Sequence, residues 1–358
     1  MPDMTPRGRV LKALAFEETD IVPYHIDIAE DVIPRLAEYY GTANFAERIV
    51  NHLPRYVVEP RKHWISSDVF IDDFGCVQRV GNIWRGEEYP LKNPSLRGYT
   101  FPDLTKNEYY EGVEAFLAAN KDYFTTCSLA IMLDNRAWML RGMENFFMDL
   151  EDNPSFVEDL LDNLLDIHLR VLDRLANYPF DSLRLADDWG GQRGVLIGAA
   201  RWRKFIKPRL ERIFQRGREL GFVMAVHSCG GISEIIPDLI GMGVQIVNPL
   251  QPEAMDVLEI KRRYGKHICL NGGISTQQTL PRGSVDDIRD EVAACIRLLG
   301  KGGGYIMSPA KPILPDVPLA NAAALIEAVT NQSPDGQHTN SDGALAEVLS
   351  RVYNAYHA

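Results

Sequence analysis

Short apolar runs, rich in β-branched and aromatic residues, alternate with longer stretches of helical periodicity along most of the chain. This alternation is typical of repeated β–α units around a parallel sheet. Eight parallel strands favour a closed barrel over an open sheet, so the predicted fold class is α/β, a single (β/α)8 barrel. The predicted strands are Ile21–Ile28, Asp68–Asp73, Cys127–Asp134, Ser182–Asp188, Phe222–His227, Gln245–Leu250, His267–Asn271 and Tyr305–Ser308.

The segments between and after these runs predict long helices and one insertion. Helices are expected over Pro154–Asn177, which opens with a first-turn proline, and over Arg201–Leu220, which ends at a glycine. The segment Val69–Tyr89 alternates and contains several glycines, which indicates a hairpin near the barrel mouth. Residues 330–343 are polar and predict a surface loop before a last helix at 344–356. One domain spanning residues 1–358 is expected.

Composition and charge argue against several classes of protein. The 358 residues are 46% hydrophobic and 24% charged, and no apolar stretch reaches the ~18 residues that a membrane span requires. The net charge of −11 argues against a nucleic-acid partner, because phosphate binding needs a basic surface. The N-terminus lacks the layout of a signal peptide, so a cytoplasmic protein with a small-molecule substrate is expected. The five cysteines are scattered in apolar runs, which suits reduced thiols.

Aspartates stand at the end of several predicted strands. In (β/α)8 barrels the reacting groups lie at the carboxyl ends of the strands, so these residues predict an acidic mouth. The alternative is that each aspartate only caps the helix that follows. The candidates are Asp73 and Asp188 for catalysis, and Asp27, Asp134, Asp187 and Trp189 for substrate binding.

An imidazole and a thiol stand two residues apart where another strand opens into a glycine turn. In an extended chain, residues i and i+2 face the same way, so His227 and Cys229 are candidate ligands of one metal ion. Zinc suits a mixed set of thiolate and imidazole, and a catalytic zinc keeps three protein ligands and one open position. The alternative is a buried histidine bonded to backbone beside an inert buried cysteine.

Other polar residues also end predicted strands. Lys311 follows the last strand, where its ammonium would hold an anionic substrate if it lies near the mouth; the alternative is a surface lysine. Gln251 and Asn271 end their strands with groups that either orient a ligand or close turns.

Six motifs occur together over Asp187–Pro318. With them the chain resembles the uroporphyrinogen decarboxylase superfamily, from about Thr5 to Val329. This superfamily includes the true decarboxylases and the cobamide-dependent methyltransferases, and the resemblance implies the same (β/α)8 barrel. The motifs are Asp187-Asp188-Trp189-Gly190, Phe205-Ile206-Lys207-Pro208, His227-Ser228-Cys229-Gly230-Gly231, Asn248-Pro249-Leu250-Gln251-Pro252, Gly272-Gly273-Ile274-Ser275-Thr276-Gln277 and Pro315-Asp316-Val317-Pro318.

The methyltransferase branch implies a zinc site. Its members hold zinc with a His-x-Cys pair and a later cysteine, and the metal turns a substrate thiol into a nucleophile for a corrinoid-bound methyl group. His227 and Cys229 match the first two ligands, whereas the third position falls on Lys311, whose ammonium cannot bind zinc. Either a carboxylate such as Asp188 or Glu253 completes the site, or the metal is gone.

The decarboxylase branch implies a tetrapyrrole site. Its members use an arginine-rich segment after the first strand, a central aspartate and a late histidine. Here the first strand is followed by Ile28-Ala29-Glu30-Asp31, without an arginine pair. Asp73 matches the central aspartate, and the late histidine is again replaced by Lys311.

The resemblance is closer to the methyltransferase branch. The leading hypothesis is a zinc-dependent methyltransferase that moves a methyl group between a small substrate and a corrinoid protein or thiol. The alternatives are a decarboxylase acting on a porphyrinogen or smaller pyrrole-like acid, and a catalytically lapsed barrel that acts as a binding protein. Mouth loops such as Asn82–Glu88 are expected to select the substrate, and Trp84 offers exposed aromatic surface that suits a homodimer.

Overall fold

The computed structural model describes residues 4–81, 85–332 and 341–357. Seven parallel strands form the central sheet in the order β1-β6-β7-β10-β11-β12-β13, and β2-β3-β4-β5 form a second, antiparallel sheet. A two-stranded ribbon pairs β8 with β9. The strands are β1 (Arg55–Val58), β2 (Lys62–Trp64), β3 (Val69–Asp72), β4 (Val77–Arg79), β5 (Arg85–Glu88), β6 (Thr126–Leu129), β7 (Ser182–Ala186), β8 (Gly190–Gly191), β9 (Gly194–Val195), β10 (Val223–His227), β11 (Ile246–Leu250), β12 (Cys269–Ile274) and β13 (Tyr305–Pro309).

The described residues also form α-helices, most of which follow strands of the central sheet. They are α1 (Pro6–Leu14), α2 (Ile33–Tyr40), α3 (Val113–Ala119), α4 (Asp134–Arg141), α5 (Met143–Asp152), α6 (Pro154–Leu175), α7 (Ala199–Arg201), α8 (Lys207–Glu219), α9 (Ile236–Gly241), α10 (Val257–Tyr264), α11 (Thr279–Arg282), α12 (Val285–Ala294), α13 (Leu319–Thr330) and α14 (Asp342–His357). Within the described ranges, no helix is long and apolar enough to cross a membrane.

The two edge strands of the seven-stranded sheet meet at the segment predicted as the first strand. Tyr24 forms a parallel bridge to Met307 in β13, and Ile28 forms one to Ile313 just beyond that strand. On its other side, the carbonyl of Tyr24 accepts a hydrogen bond of 3.0 Å from the backbone N–H of His52, shortly before β1. The segment thus takes the eighth place of an α/β barrel, which confirms the predicted fold class.

The prediction of Asp68–Asp73 as a barrel strand was wrong. The run Asp68–Asp73 forms β3, which pairs with β2 and β4 in the antiparallel sheet, and β1 occupies the barrel position instead. The sequence signal of β1 is weak because the strand has four residues, begins with Arg55 and leaves Val57 47% exposed. The predicted hairpin insertion is confirmed by the antiparallel pairing of β3, β4 and β5. Trp84 and the start of the loop Asn82–Glu88 lie outside the described residues.

The longest helices match the periodicity that predicted them. In α6 an unbroken apolar stripe packs inward, and Pro154 opens the helix, where no backbone donor is needed. The helix predicted over Arg201–Leu220 is present as α7 and α8, joined through a π-helical turn at Trp202–Ile206. That turn buries Trp202 against Trp189, with ring centroids 5.5 Å apart in an edge arrangement. The helix thereby supports the loop that follows β7.

Candidate functional site

A cavity of about 250 Å³ opens at the carboxyl ends of the barrel strands. Its polar lining comes from the segment in the eighth position, from β1, β6, β7 and β10 to β13, and from the residues just after β13. The arrangement is typical of (β/α)8 enzymes, in which side chains from several strands converge at this face. The polar lining residues are His25, Asp27, Arg55, Thr126, Arg184, His227, Asn248, Asn271, Ser308 and Lys311.

Three metal-ligating side chains converge at one side of this cavity. One ligand atom each from Asp188, His227 and Cys229 lies within 4.8 Å of the other two. The Sγ of Cys229 is 3.6 Å from Nε2 of His227, and that nitrogen is 3.9 Å from Oδ1 of Asp188. One sulfur, one imidazole nitrogen and one carboxylate oxygen form a donor set that zinc accepts, with a fourth position left for substrate.

The cluster forms because two loops pack backbone against backbone. The backbone N–H of Cys229 donates to Oδ1 of Asp188 at 2.8 Å, and the N–H of Trp189 donates to Oγ of Ser228 at 2.9 Å. A Cβ atom on Gly190 would lie 2.4 Å from the carbonyl oxygen of Cys229. Gly230 has φ +81°, and a Cβ there would lie 2.4 Å from Gly190. Glycine at both positions therefore permits the close approach that brings the three ligands together.

Asn248 fixes the orientation of the His227 ring. The Oδ1 of Asn248 lies 2.6 Å from Nδ1 of His227 and accepts from Nη1 of Arg184 at 3.3 Å. A guanidinium only donates, so the atom facing both groups is the oxygen, and His227 must donate from Nδ1. The lone pair of its Nε2 is then directed toward Cys229 and Asp188. The amide nitrogen of Asn248 donates to Oδ1 of Asn271, which extends the polar network to β12.

Burial governs the protonation of the imidazole and the thiol. It lowers the pKa of His227 to about 4, with a further contribution from the charge of Arg184. Burial also raises the pKa of Cys229 to about 12, assisted by the charge of Asp188. At neutral pH the imidazole is therefore neutral and the thiol protonated, so metal binding would release the thiol proton.

A second charged group lies on the opposite wall. Oδ1 of Asp27 is 2.8 Å from Nε2 of His25, and its other oxygen pairs with the guanidinium of Arg55. Burial alone would raise the pKa of Asp27, but the contacts with His25 and Arg55 outweigh it and hold the pKa well below its usual value. Asp27 is therefore an anion matched to Arg55.

Several aspartates of the predicted acidic mouth lie away from the cavity lining and contact other parts of the fold. Asp187 accepts hydrogen bonds of 2.9 Å from the backbone N–H groups of Asp134 and Asn135 at the start of α4, and another of 2.9 Å from the indole of Trp189. Burial raises the pKa of both Asp134 and Asp187. The charge of Asp187 raises the pKa of Asp134 further, and the charge of Asp188 adds to the rise at Asp187. Asp134, Asp187 and Trp189 do not line the described cavity.

Three further candidates also lie away from the cavity. Asp73 accepts from the backbone N–H of Arg61 and from the hydroxyl of Tyr109, and it pairs with His63 beside the antiparallel sheet. Gln251 accepts a hydrogen bond of 2.8 Å from the backbone N–H of Gly230, so it supports the loop that carries Cys229. Glu253 is buried against Ser275 and is not part of the metal-ligand cluster. Asp27, Asn271 and Lys311, by contrast, do line the cavity.

Sequence reasoning missed several cavity residues. Arg184 stands between leucines inside β7, and a charged residue within an apolar strand was the available signal. Arg55 was missed together with β1. Asn248 lay in a quoted motif, but only the structure shows that it holds the imidazole.

Comparison with known proteins gives the family and the fold. The family model described as "Uroporphyrinogen decarboxylase (URO-D)" matches residues 133–332. A uroporphyrinogen decarboxylase of Pseudomonas fluorescens is 25% identical over 190 residues, which are 50% of this chain and 49% of the relative. One of Bacillus cereus is 28% identical over 174 residues, 48% of this chain and 46% of the relative. The chain thus spans about half the length of the curated relatives it matches.

A solved structure covers more of the chain at lower identity. The "methyltransferase from Methanosarcina mazei" superposes with a TM-score of 0.69 over 91% of this chain and 98% of its own, at 19% sequence identity. At that identity the similarity concerns the fold, and it supports the barrel described above.

Proposed function

Because the chain belongs to the uroporphyrinogen decarboxylase family, we propose that it is an enzyme that holds zinc through Asp188, His227 and Cys229. Its proposed reaction moves a methyl group between a small substrate and a corrinoid protein or thiol. The observation that supports this proposal is the convergence of the three ligand atoms within 4.8 Å beside a cavity at the barrel mouth. Asp188 is proposed as the third ligand, in place of the position occupied by Lys311.

The chemistry of the donor set suits a nucleophile-activating metal. A zinc ion bound there would lower the pKa of a coordinated thiol and favour its thiolate form. A methylated corrinoid partner would supply the methyl group. Transfer to the thiol sulfur would form a sulfur–carbon bond as the bond to the donor breaks, with the electron pair left on the donor and the thiol proton released.

The residues of the chain have distinct parts in this proposal. Asn248 holds His227 in the tautomer that presents Nε2, and the N–H of Cys229 holds the carboxylate of Asp188. Partners of this kind typically fix ligand orientation and raise metal affinity. Lys311 and Asn271 line the cavity and would orient the substrate.

Metal analysis of the purified protein tests the metal centre. The unmodified protein, loaded with zinc and then desalted, should retain close to one zinc per chain, and His227→Ala and Cys229→Ala should lose it. The matched control is His63→Ala, which removes an exposed imidazole that also faces a carboxylate, Asp73. Absence of zinc from the loaded unmodified protein would overturn the proposal.

Decarboxylation is a second candidate, supported by the named activity of the curated relatives. A cavity of about 250 Å³ is below the ~300–1,000 Å³ of typical ligand sites, which favours a smaller acid over a tetrapyrrole with eight carboxylates. Incubation with uroporphyrinogen, followed by chromatography for coproporphyrinogen, tests this activity. Formation of coproporphyrinogen that survives His227→Ala would favour decarboxylation over zinc-dependent methyl transfer.

A further inference from the structure

A compact turn follows β11 and lies beside the loop that carries Cys229. The residues of this β11 turn, 251–255, are all buried. The backbone N–H groups of Ala254 and Met255 donate to the carbonyl of Gln251 at 3.1 and 3.0 Å, which closes the turn. Because the turn is closed by its own hydrogen bonds, its side chains and carbonyl groups hold fixed positions relative to one another.

One side of the β11 turn holds the loop after β10. Oε1 of Gln251 accepts a hydrogen bond of 2.8 Å from the backbone N–H of Gly230. A Cβ atom on Gly231 would lie 3.1 Å from the carbonyl oxygen of Ala254, so the two segments also pack backbone against backbone. Both contacts involve residues that directly follow Cys229 in the chain. The position of the Cys229 thiol therefore depends on the β11 turn.

Two side chains from other elements hold the β11 turn through one backbone atom, the carbonyl oxygen of Glu253. Nε2 of Gln192, between β8 and β9, donates to this oxygen at 3.1 Å. Nε2 of His357, at the end of α14, donates to it at 3.2 Å. A carbonyl oxygen has two lone pairs, so the two donors together satisfy it. The helix α14 is thereby connected to the turn that holds the loop after β10.

The end of α14 is held in a defined orientation. The rings of His357 and Tyr353 stack, with centroids 4.2 Å apart. The hydroxyl of Tyr356 accepts a hydrogen bond of 3.1 Å from Nε2 of Gln278, and apolar residues of the helix are buried against the barrel. His357 itself is exposed. Its contribution to the turn therefore comes from the hydrogen bond rather than from burial of its ring.

We propose that Gln251 and His357 are positioning residues for Cys229. Gln251 acts through the N–H of Gly230, and His357 acts through the carbonyl of Glu253 and the β11 turn. The docking of α14 thus controls how firmly the thiol is held. The inference rests on the proposed function in one respect, since it gives Cys229 a part in the metal centre.

The thiol of Cys229 can be observed separately from the other cysteines. Cys229 is partly exposed, whereas the other four cysteines of the chain are buried. A thiol reagent in water reacts with exposed thiols first. In the folded protein, the rate of labelling therefore reports on the loop after β10.

Labelling of the metal-free protein with dithiobis(nitrobenzoate) tests the proposal. The unmodified protein should show one slowly reacting thiol, which Cys229→Ser should remove. Gln251→Met and His357→Ala should each raise the labelling rate about threefold to tenfold, the range expected for loss of one hydrogen bond. His357→Gln keeps an N–H donor and should restore the original rate. Asn354→Ala, at an exposed position of the same helix, is the control and should label normally.

Urea denaturation and zinc affinity are measured on the same variants, and the outcomes separate this proposal from the proposed function. Faster labelling of one thiol in Gln251→Met and His357→Ala, in a protein that takes up no zinc, would support the positioning roles while overturning the proposed function. Unchanged rates in both variants would overturn the positioning roles whatever the zinc content. Faster labelling in Gln251→Met alone would overturn the role of α14.

Global unfolding gives a different result. Labelling of all five thiols together with a lower free energy of unfolding would overturn the proposal, because the change would then not be confined to the loop after β10. His357→Ala is the more decisive variant in this respect, since the exposed imidazole contributes no buried core to the fold.

Discussion

The backbone N–H of Cys229 donates to Oδ1 of Asp188 at 2.8 Å, so one candidate ligand holds another in place. The bond spans the loops after β7 and β10, and it holds a carboxylate beside the imidazole and the thiol. The contact supports the proposal that a carboxylate oxygen of Asp188 completes a metal site with His227 and Cys229.

Asp188→Asn should separate the charge of this carboxylate from its shape. The amide oxygen can still accept from Cys229, so the loops should keep their arrangement, but the ligand loses its negative charge. We expect zinc affinity to fall by more than the ~10–100-fold typical of changes around the ligands. Competition with a chromophoric chelator measures the affinity. Unchanged affinity would remove Asp188 from the ligand set.

Asn248→Ala should weaken zinc binding by about 10–100-fold without abolishing it, because the imidazole loses the acceptor that fixes its tautomer. The same chelator competition applies. Asn163→Ala is the control, since that side chain bonds only its own helix at an exposed position. Equal losses in the two variants would refute an orienting role for Asn248.

The buried ion pair between Arg136 and Asp72 should be important for stability. Both side chains are almost fully buried, and the guanidinium also lies 4.3 Å from the ring centroid of Phe74. Arg136→Met leaves a buried carboxylate unpaired and should lower the free energy of unfolding by about 3–5 kcal/mol. Adding Asp72→Asn should recover part of that loss.

Urea denaturation measures both variants. The exposed pair Arg170–Asp166 provides the control, for which Arg170→Met should change stability by less than about 1 kcal/mol. A double variant no more stable than Arg136→Met would show that the unpaired charge is not the cause.

Acid should destabilise the fold through buried histidines outside the site. Burial lowers the pKa of His52 and of His168 to about 4, whereas the ordinary pKa of a histidine side chain is about 6.5. Between these values the unfolded chain binds more protons than the folded one, so stability is complete above pH ~6.5 and falls as pH drops toward 4. Each histidine contributes a slope of up to about 1.4 kcal/mol per pH unit.

Unfolding free energies from pH 7 to 5 test this effect. The free energy of unfolding of His168→Leu should fall less steeply with decreasing pH than that of the unmodified protein. The difference in slope should correspond to the uptake of up to about one proton on unfolding. His267→Ala, at an exposed histidine, should leave the slope unchanged. A slope in His168→Leu equal to that of the unmodified protein would contradict the assignment of His168.

The sequence was sufficient for those parts of the fold that follow from periodicity. The strand that ends at His227 is a continuous apolar run up to that residue, as expected of a strand in a parallel sheet covered on both faces. β1 was missed because this strand of four residues begins with Arg55, which lines the cavity, and therefore carries little apolar signal. An interior position that holds a charged side chain for a ligand looks like a surface position in the sequence.

The site was predictable only where two candidate ligands lie two residues apart, at the end of β10 and just after it. His227 and Cys229 follow from local spacing, because alternation along an extended chain fixes which way both point. Asp187 and Asp188 are adjacent aspartates with the same local context, yet Asp187 caps α4 and Asp188 faces the cluster. Which of the two faces the site depends on the packing of Gly190 against the loop after β10, and no local pattern encodes it.

The barrel is joined at residues 24–28 by isolated bridges to Met307 and Ile313, whereas β12 and β13 share a continuous ladder. This seam carries His25 and Asp27, so the thinnest hydrogen bonding in the ring coincides with one wall of the cavity. Local openings of low free energy concentrate where hydrogen bonding is sparse. Amide hydrogen exchange should accordingly be faster at His25 and Ala29 than along β12. A ligand that contacts both His25 or Asp27 and the facing wall of the cavity would hold this seam closed, and it should slow amide exchange there.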